Sequence, residues 1–351
     1  MCGALVQRGI RFDISGRSRD KLDGLARELA SPQGTPCVFV ADSRSRIELA
    51  PLLDERRVVA ACAGPFDAVG EPLLALAAER GIHYVDTTAE PSFVMRALAY
   101  HSVATGSGAC IAPSLAYECA LADWLSPRAL GRLDGGVESI AVCYSHPREF
   151  LSRASRGTLL SSLAELAGGQ DRAWVDGVLC REEPLLHRRR FSVIDVDGSR
   201  RELQCGSVPG AEPLLLPSHT GAQTVRTFMV LPPALATGLL AVRKWVPQLA
   251  RAALTLAAYR EERDVERVSG RFEVIVEASR GGVSALARAR GTDPYRVTAE
   301  IQAFAIAEAL AGRRRATGVL APSVACDGER GLAMLEEAGV KLEITERSRE
   351  R

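Results

Sequence analysis

The strongest constraint on the fold is a rhythm in the first third of the chain, where short apolar runs alternate with longer amphipathic stretches. Phe12-Asp13-Ile14-Ser15 reads as a strand. Ser18 then caps a helix that carries Leu22, Leu25, Ala26 and Leu29 on one face and Arg19, Asp20 and Arg27 on the other. Val38 to Val40 is a strand that ends at Asp42. Val58 to Ala61 is continuously apolar, the pattern of a strand buried on both faces of a parallel sheet. A helix from Glu71 to Arg80, a strand at His83-Tyr84-Val85, a helix from Ser92 to Ala104 and a strand at Cys110-Ile111-Ala112 complete the series. Strands separated by single helices predict βαβ units wound into a parallel sheet.

Beyond about residue 130 the rhythm changes to longer strands, at Ile140 to Tyr144, Phe191 to Val196, Thr224 to Val230 and Phe272 to Val276. Strand-rich sequence of this kind predicts a second α+β domain with a mostly antiparallel or mixed sheet. Helices follow at Thr298 to Ala311 and Gly331 to Ala338, then a strand at Val340 to Ile344. The expected division is therefore 1–130, 131–297 and 298–351, the last part packing back near the first.

Composition narrows the chemistry. With 47% hydrophobic and 25% charged residues and a net charge of +1, the chain has no bulk field to draw it to nucleic acid or an anionic membrane. The nine cysteines form no C-x-x-C pair and no zinc-type cluster, so no metal site is expected. Cys37, Cys62 and Cys110 lie in apolar runs and read as small buried hydrophobes of a reducing, cytoplasmic compartment. Lysine occurs only at 21, 244 and 341, and none has a tyrosine four residues before it. A Y-x-x-x-K proton relay is thereby excluded.

The chain opens in the middle of a pattern. Ala4 to Gly9 reads as the end of a helix, and Ile10 leads into the next strand. A dinucleotide-binding sheet begins with a strand, a glycine loop and a helix whose N-terminus faces the pyrophosphate. The first strand and the loop are expected upstream of Met1. The alternative is a fold that starts at Ile10 and binds no dinucleotide. The fold class expected on the first view is α/β, a Rossmann-type doubly wound parallel sheet with its first strand missing, joined to a second α+β domain.

Three segments carry candidate chemistry. After the strand at residue 12, Ser15, Gly16, Arg17, Ser18 and Lys21 stand where NAD-binding domains place a ribose-binding carboxylate. A small turn, an arginine fork and a helix N-terminus suit a phosphate better, so NADP is the expected cofactor. Asp42, at the next strand end, joins this group of cofactor candidates. Ala63, Gly64, Pro65 and Phe66 follow the apolar strand directly, where backbone and an apolar ring can approach a nicotinamide. Asp86 and Thr87 close the strand that starts at His83. Asp86 reads equally as a ribose contact or a helix cap, and His83 as structural.

These segments resemble the saccharopine-dehydrogenase-like oxidoreductases, including their trans-acting enoyl reductase branch. The resemblance rests on SGRSRDKL (15–22), AGPFDAVGEPLLALAAERGIHYVDTTAE (63–90) and TGVLAPSVACDGERGLAMLEEAGV (317–340). It implies an NADP-binding Rossmann domain interrupted by a second domain. It also implies hydride transfer to a carbonyl, imine or enoyl group on a small or acyl-chain substrate. Three departures stand out: the glycine loop is absent, Ala89 replaces an expected glycine, and residues 112–123 lack the family's G-F-D-S-x-P-S-D.

Tyr117 and Glu118, after the last strand of the first domain, are the candidate acid–base residues. His146, His187 and His219 have no local nucleophile or metal partner and read as non-catalytic. The apolar segment 229–258 has three readings: a core or homodimer-interface helix, the lining of a lipid-like tunnel, or a peripheral membrane contact. A truncated, non-catalytic binding or interaction protein, and a peripheral membrane, lipid-associated protein, are the alternatives to the enzyme.

Overall fold

In the computed structural model, residues 1–145, 172–182, 185–195, 197–230, 245, 270–313 and 316–347 are described. Their strands are β1 Ile14–Gly16, β2 Val38–Val40, β3 Val58–Ala61, β4 His83–Asp86, β5 Cys110–Ala112, β6 Ser139–Ser145, β7 Arg172–Val175, β8 Val178–Arg181, β9 Arg188–Ile194, β10 Arg200–Ser207, β11 Thr224–Val230, β12 Arg271–Arg280, β13 Val283–Thr292, β14 Gly318–Val319 and β15 Lys341–Arg347. The chain forms two units. One comprises Met1–Thr88, Phe93–Ala120 and Tyr295–Leu335; the other comprises Ala89–Ser92, Leu121–Pro294 and Glu336–Arg351.

The first unit has the parallel α/β architecture that the βαβ rhythm predicts. β1 pairs with β2, and β3, β4, β5 and β14 follow one another in a second sheet, every pair parallel. β1 and β3 exchange no ladder bonds. They are linked instead at their N-terminal ends by an ion pair, Arg56 to Asp13, 2.8 Å. Asp13 also accepts from the Cys37 N–H, 3.0 Å, just before β2.

This arrangement corrects the reading of Val58 to Ala61 as buried on both faces. Val58, Val59 and Ala60 are only half-buried, because β3 is the edge of its sheet. Cys37 and Cys62, expected in the core, are exposed for the same reason: one leads into β2, the other leaves β3. Cys110, inside the sheet, is buried.

The helix Glu71–Arg80 shows how sequence sets the local structure. Pro72 stands in its first turn, where a missing N–H costs nothing. Leu74 to Ala78 are all buried against the four-stranded sheet. The helix stops at Gly81, whose φ is +73°. A Cβ there would stand 2.6 Å from the Ser107 carbonyl oxygen, so the position admits no side chain. The stretch expected as one helix from Ser92 to Ala104 is two, Pro91–Ala99 and His101–Ser107, separated at Tyr100.

The second unit is built on a nine-stranded mixed sheet, ordered β15-β13-β12-β6-β11-β10-β9 with the β7–β8 hairpin attached to β11. β12 and β13 form a long hairpin whose turn is Gly281–Gly282. Both glycines have positive φ, +55° and +82°, as a tight two-residue turn requires. The sheet curls strongly. Phe191 and Val193 of β9 and Leu203 of β10 pack in one cluster with Ile275 of β12 and Leu286 of β13.

Beside this cluster lies a buried charge network. Arg288 is 1% exposed and reaches Asp195 at 3.0 Å, Glu273 at 2.9 Å and Glu343 at 3.2 Å. It also donates to the Ile194 carbonyl at 3.0 Å. Arg201 adds pairs to Asp195 at 3.0 Å and Glu273 at 2.7 Å, and Arg290 pairs with Glu343. Charge is thus compensated by charge, the condition for burying it.

Two histidines without local partners in the sequence have distant or ionic ones. His219 Nε2 lies 2.7 Å from Oδ1 of the fully buried Asp123, and His187 lies 3.2 Å from Glu182. His146 lies outside the described residues, as does segment 229–258 apart from Met229, Val230 and Trp245. Among the described residues no helix is long and apolar enough to cross a membrane.

Candidate functional site

Parallel strands aim their carboxyl ends at one rim, and ligands of such sheets bind there. At the end of β1, Ser15, Arg17 and Ser18 are exposed and Gly16 is half-buried. The register pairs Gly16 with Val40, and the Ala41 N–H donates to the Gly16 carbonyl at 3.0 Å. Arg17 and Asp42 therefore leave adjoining strands side by side. Ser18 is the N-cap of the helix Arg19–Glu28 in extended conformation, and its hydroxyl makes no cap bond. Lys21 is exposed one turn along that helix. Arg17 forms no hydrogen bond or ion pair among the described residues.

Asp42 is fully engaged. It accepts from the Arg44 N–H at 2.9 Å, from Nε at 3.2 Å and from Nη2 at 2.8 Å. The Arg44 guanidinium, its backbone N–H and, further off, Arg17 hold the Asp42 carboxyl down at about 2.

The second group lies at the end of β3. Ala63, Gly64 and Pro65 are exposed, and a Cβ on Gly64 would meet nothing closer than 3.8 Å, so a flat group can approach the backbone. The Phe66 ring is the side chain nearest that opening, its edge 3.8 Å from where a Gly64 Cβ would stand. The ring is 5% exposed and lies 5.5 Å from that of Phe93, in the core beneath the sheet. The turn is held from below by Arg96, which donates to the Asp67 carbonyl at 2.9 Å and to its carboxylate at 2.7 Å. Glu71 is 3.4 Å from Arg96 and accepts from the Tyr100 hydroxyl at 2.9 Å.

The end of β4 is a third, buried arrangement. Ala61 of β3 pairs with Asp86, bringing 63–66 beside Asp86 and Thr87. Asp86 is fully buried; its Oδ1 accepts from the N–H groups of Thr88 at 2.9 Å and Ser114 at 2.8 Å. Its carbonyl accepts from the Leu115 N–H at 2.9 Å and from Gln302 Nε2 at 2.6 Å. Gln302 also donates to the Leu115 carbonyl, 3.1 Å. Asp86 therefore fastens two strand ends together, and half-buried Thr87 is the member of the pair nearer the surface. Burial, then the neighbouring Asp86 charge, pushes the Tyr84 phenol well up. His83 accepts from the Cys110 N–H at 3.1 Å, a structural contact between β4 and β5.

Tyr117 and Glu118 open the helix Tyr117–Leu130. Tyr117 is 3% exposed and its N–H donates to Thr298 Oγ1 at 3.1 Å. Burial, then Glu118, raises its phenol well above the ordinary tyrosine range. The structure thus gathers Ser15, Gly16, Arg17, Ser18 and Asp42 at one rim position, and Ala63, Gly64, Pro65 and Thr87 at another. Phe66, Asp86 and Tyr117 are in the interior. Arg44 and Gln302 escaped the sequence reading; the spacing Asp42-Ser43-Arg44 held the signal for the first.

No family model matches the chain. Over 144 residues it is 28% identical to a human saccharopine dehydrogenase-like oxidoreductase, covering 38% of this chain and 34% of the relative. Over 161 residues it is 30% identical to a Mycobacterium tuberculosis protein named as a trans-acting enoyl reductase, covering 45% of this chain and 38% of the relative. The matched stretches span little more than a third of these relatives. In fold, the chain aligns with the apo saccharopine dehydrogenase (L-Glu forming) of Saccharomyces cerevisiae at a TM-score of 0.60 and 13% identity, over 99% of this chain and 96% of that one. In sequence over part of its length, and in fold over nearly all of it, the chain is similar to the saccharopine-dehydrogenase-like oxidoreductases.

Proposed function

We propose that the chain is an NADP(H)-dependent oxidoreductase that reduces a carbonyl, imine or enoyl group on a small or acyl-chain substrate. The observation that carries the cofactor choice is Arg17: an exposed cation that makes no hydrogen bond or ion pair among the described residues, at the strand end where a ribose-binding carboxylate would repel a 2′-phosphate. Gly16 and Arg17 fit the adenosine phosphate, and the open backbone of Gly64 fits a nicotinamide ring. The cofactor supplies the hydride. Tyr117 and Glu118 are proposed for the proton, although burial of the phenol favours delivery through water instead.

The test is a calorimetric titration with NADPH and NADH. NADPH is expected to bind preferentially, in the high micromolar range or weaker. Arg17→Ala should weaken NADPH binding about ten- to a hundredfold and leave NADH little changed, the loss of a charge-assisted contact. Equal losses for both would remove Arg17 from the site. Tyr117→Phe should lower turnover without changing NADPH affinity if the phenol supplies the proton.

One observation favours a second reading, a binding protein without catalysis: β1 and β3 are each paired on one edge only. Fluorescence of bound NADPH separates the two. Enhancement on mixing supports the enzyme; none at millimolar cofactor supports the binding protein. A peripheral, cytoplasmic, lipid-associated role and a homodimer remain further proposals, tested by liposome co-sedimentation and by light scattering.

A further inference from the structure

We propose that Arg44 is the second cation of a phosphate-reading pair with Arg17, and that Asp42 serves as the arm that holds Arg44 in place rather than as a ribose contact. The inference rests on the dinucleotide reading above and adds a specificity-determining residue to it.

The geometry is built by the strands. Gly16 and Val40 are register partners, so the residues just beyond them, Arg17 on one strand and Asp42 on the next, emerge at the same rim position. Asp42 grips Arg44 through both carboxylate oxygens, at 2.8 Å and 3.2 Å, and takes its backbone N–H as well. That grip uses Nε and one Nη2 hydrogen. A guanidinium has five N–H donors, so the remaining three stay available in a planar fork. The Arg44 side chain is 60% exposed, which leaves those donors facing solvent.

The arginine forks give the selectivity. Arg17 and Arg44 are balanced by Asp42 and by Glu48, whose carboxylate accepts from the Asp42 N–H at 2.9 Å, so the donors carry the preference and no excess of charge does. An isolated Asp42 here would accept ribose hydroxyls and repel a phosphate. Paired to Arg44, its oxygens are occupied and its repulsion of a phosphate is reduced but not abolished. A phosphomonoester on the adenosine 2′ oxygen gains two arginine forks, whereas a bare hydroxyl gains little. Asp42 also lowers the entropy lost on binding, because Arg44 is already ordered.

The experiment uses the full chain and three probes, adenosine 2′-monophosphate, adenosine 5′-monophosphate and adenosine, followed by nuclear magnetic resonance titration at low salt. The expected result is tighter binding of the 2′-monophosphate than of adenosine. Arg44→Ala should weaken the 2′-monophosphate about tenfold and leave adenosine unchanged, with Arg44→Lys recovering part of the loss. Asp42→Asn removes the opposing charge and retains an acceptor for Arg44, so it should strengthen the 2′-monophosphate severalfold. Arg44 is exposed and Asp42 half-buried, and an unchanged amide spectrum shows that each variant folds.

A wild-type chain that binds the three probes alike overturns the proposal. So does Arg44→Ala acting equally on 2′-monophosphate and adenosine, or Asp42→Asn weakening the 2′-monophosphate. If the 2′-monophosphate preference holds and responds to Arg44 while NADPH and NADH both fail to bind, the phosphate pair stands and the dinucleotide reading falls.

Discussion

Arg56 and Asp13 meet at 2.8 Å between two parallel sheets that share no backbone hydrogen bond. Each residue stands just before its strand, Asp13 before β1 and Arg56 before β3. Paired strands lie ~4.8 Å apart, joined by their ladders. Here one side-chain pair links strands that have no ladder between them. Arg56→Ala should therefore cost little globally, up to about 1 kcal/mol for a partly exposed pair. Its larger effect should be local: faster amide exchange in β1 and β2 than in β4 and β5. Uniform acceleration across both sheets would show that the pair has no special place.

Gly70→Ala tests the support beneath the Gly64–Phe66 turn. A Cβ at residue 70 would sit 2.7 Å and 2.8 Å from the Phe93 ring and 2.9 Å from the Phe66 carbonyl. Both rings are buried, so neither can give way cheaply. A loss of about 1–3 kcal/mol in denaturant unfolding is expected. A neutral result would show that the ring pair repacks freely.

Gln302→Leu removes the side-chain amide donor that the Asp86 and Leu115 carbonyls share. The volume is nearly kept, so the loss reports the hydrogen bonds, about 1–3 kcal/mol for buried groups left short of a partner. Urea unfolding measures it. A stability equal to wild type would mean that water replaces the amide.

Arg288 is the centre of the second unit's charge network. Arg288→Ala leaves Asp195, Glu273 and Glu343 under-compensated and should cost about 3–5 kcal/mol. The pH dependence has a defined sign. Hydrogen bonds from Arg201 and then Arg288 lower Asp195 to about 2, below an unfolded value of about 3.9. A depressed carboxyl contributes stability that is complete above the unfolded value and is lost as pH falls through the folded one. Arg288→Ala should move acid unfolding to higher pH, as seen by circular dichroism against pH. An unchanged acid transition would detach Asp195 from the network.

β1 to β5 of the first unit were legible as short runs bounded by turn residues, as at Val58 to Ala61 and Cys110 to Ala112, whereas the two-residue β14 was not. Neither was β13. Ala285, Leu286, Ala287, Arg288 and Ala289 are all buried, so the strand shows no alternation, and its arginine and alanines imitate a helix. Arg288 is tolerated there only because Asp195, Glu273 and Glu343 come to it from other strands, a pairing no local pattern can announce. The same holds for His219 and Asp123. At the rim, Arg17 was readable from its place after a strand. Phe66 and Asp86 were readable as residues at strand ends, but the direction of each side chain depends on Phe93 and Ser114, which lie elsewhere in the chain. Arg44 was hidden because its contacts come from folding back onto Asp42.

β14 completes the four-stranded sheet by pairing Gly318 with Cys110 and Val319 with Ile111. The separation is 208 residues, 318 less 110, and most of the second unit, Leu121–Pro294, is translated in between. At about 5–20 residues per second, a ribosome needs roughly 10–40 s to deliver the closing strand. During that interval the nascent first unit carries β5 as an open, apolar edge, the kind of edge that recruits other chains. Gln302, which fastens β4 to the β5 loop, arrives only shortly before β14. The first unit thus begins synthesis first and finishes folding late, and its vulnerability in the cell is a matter of timing as well as of stability.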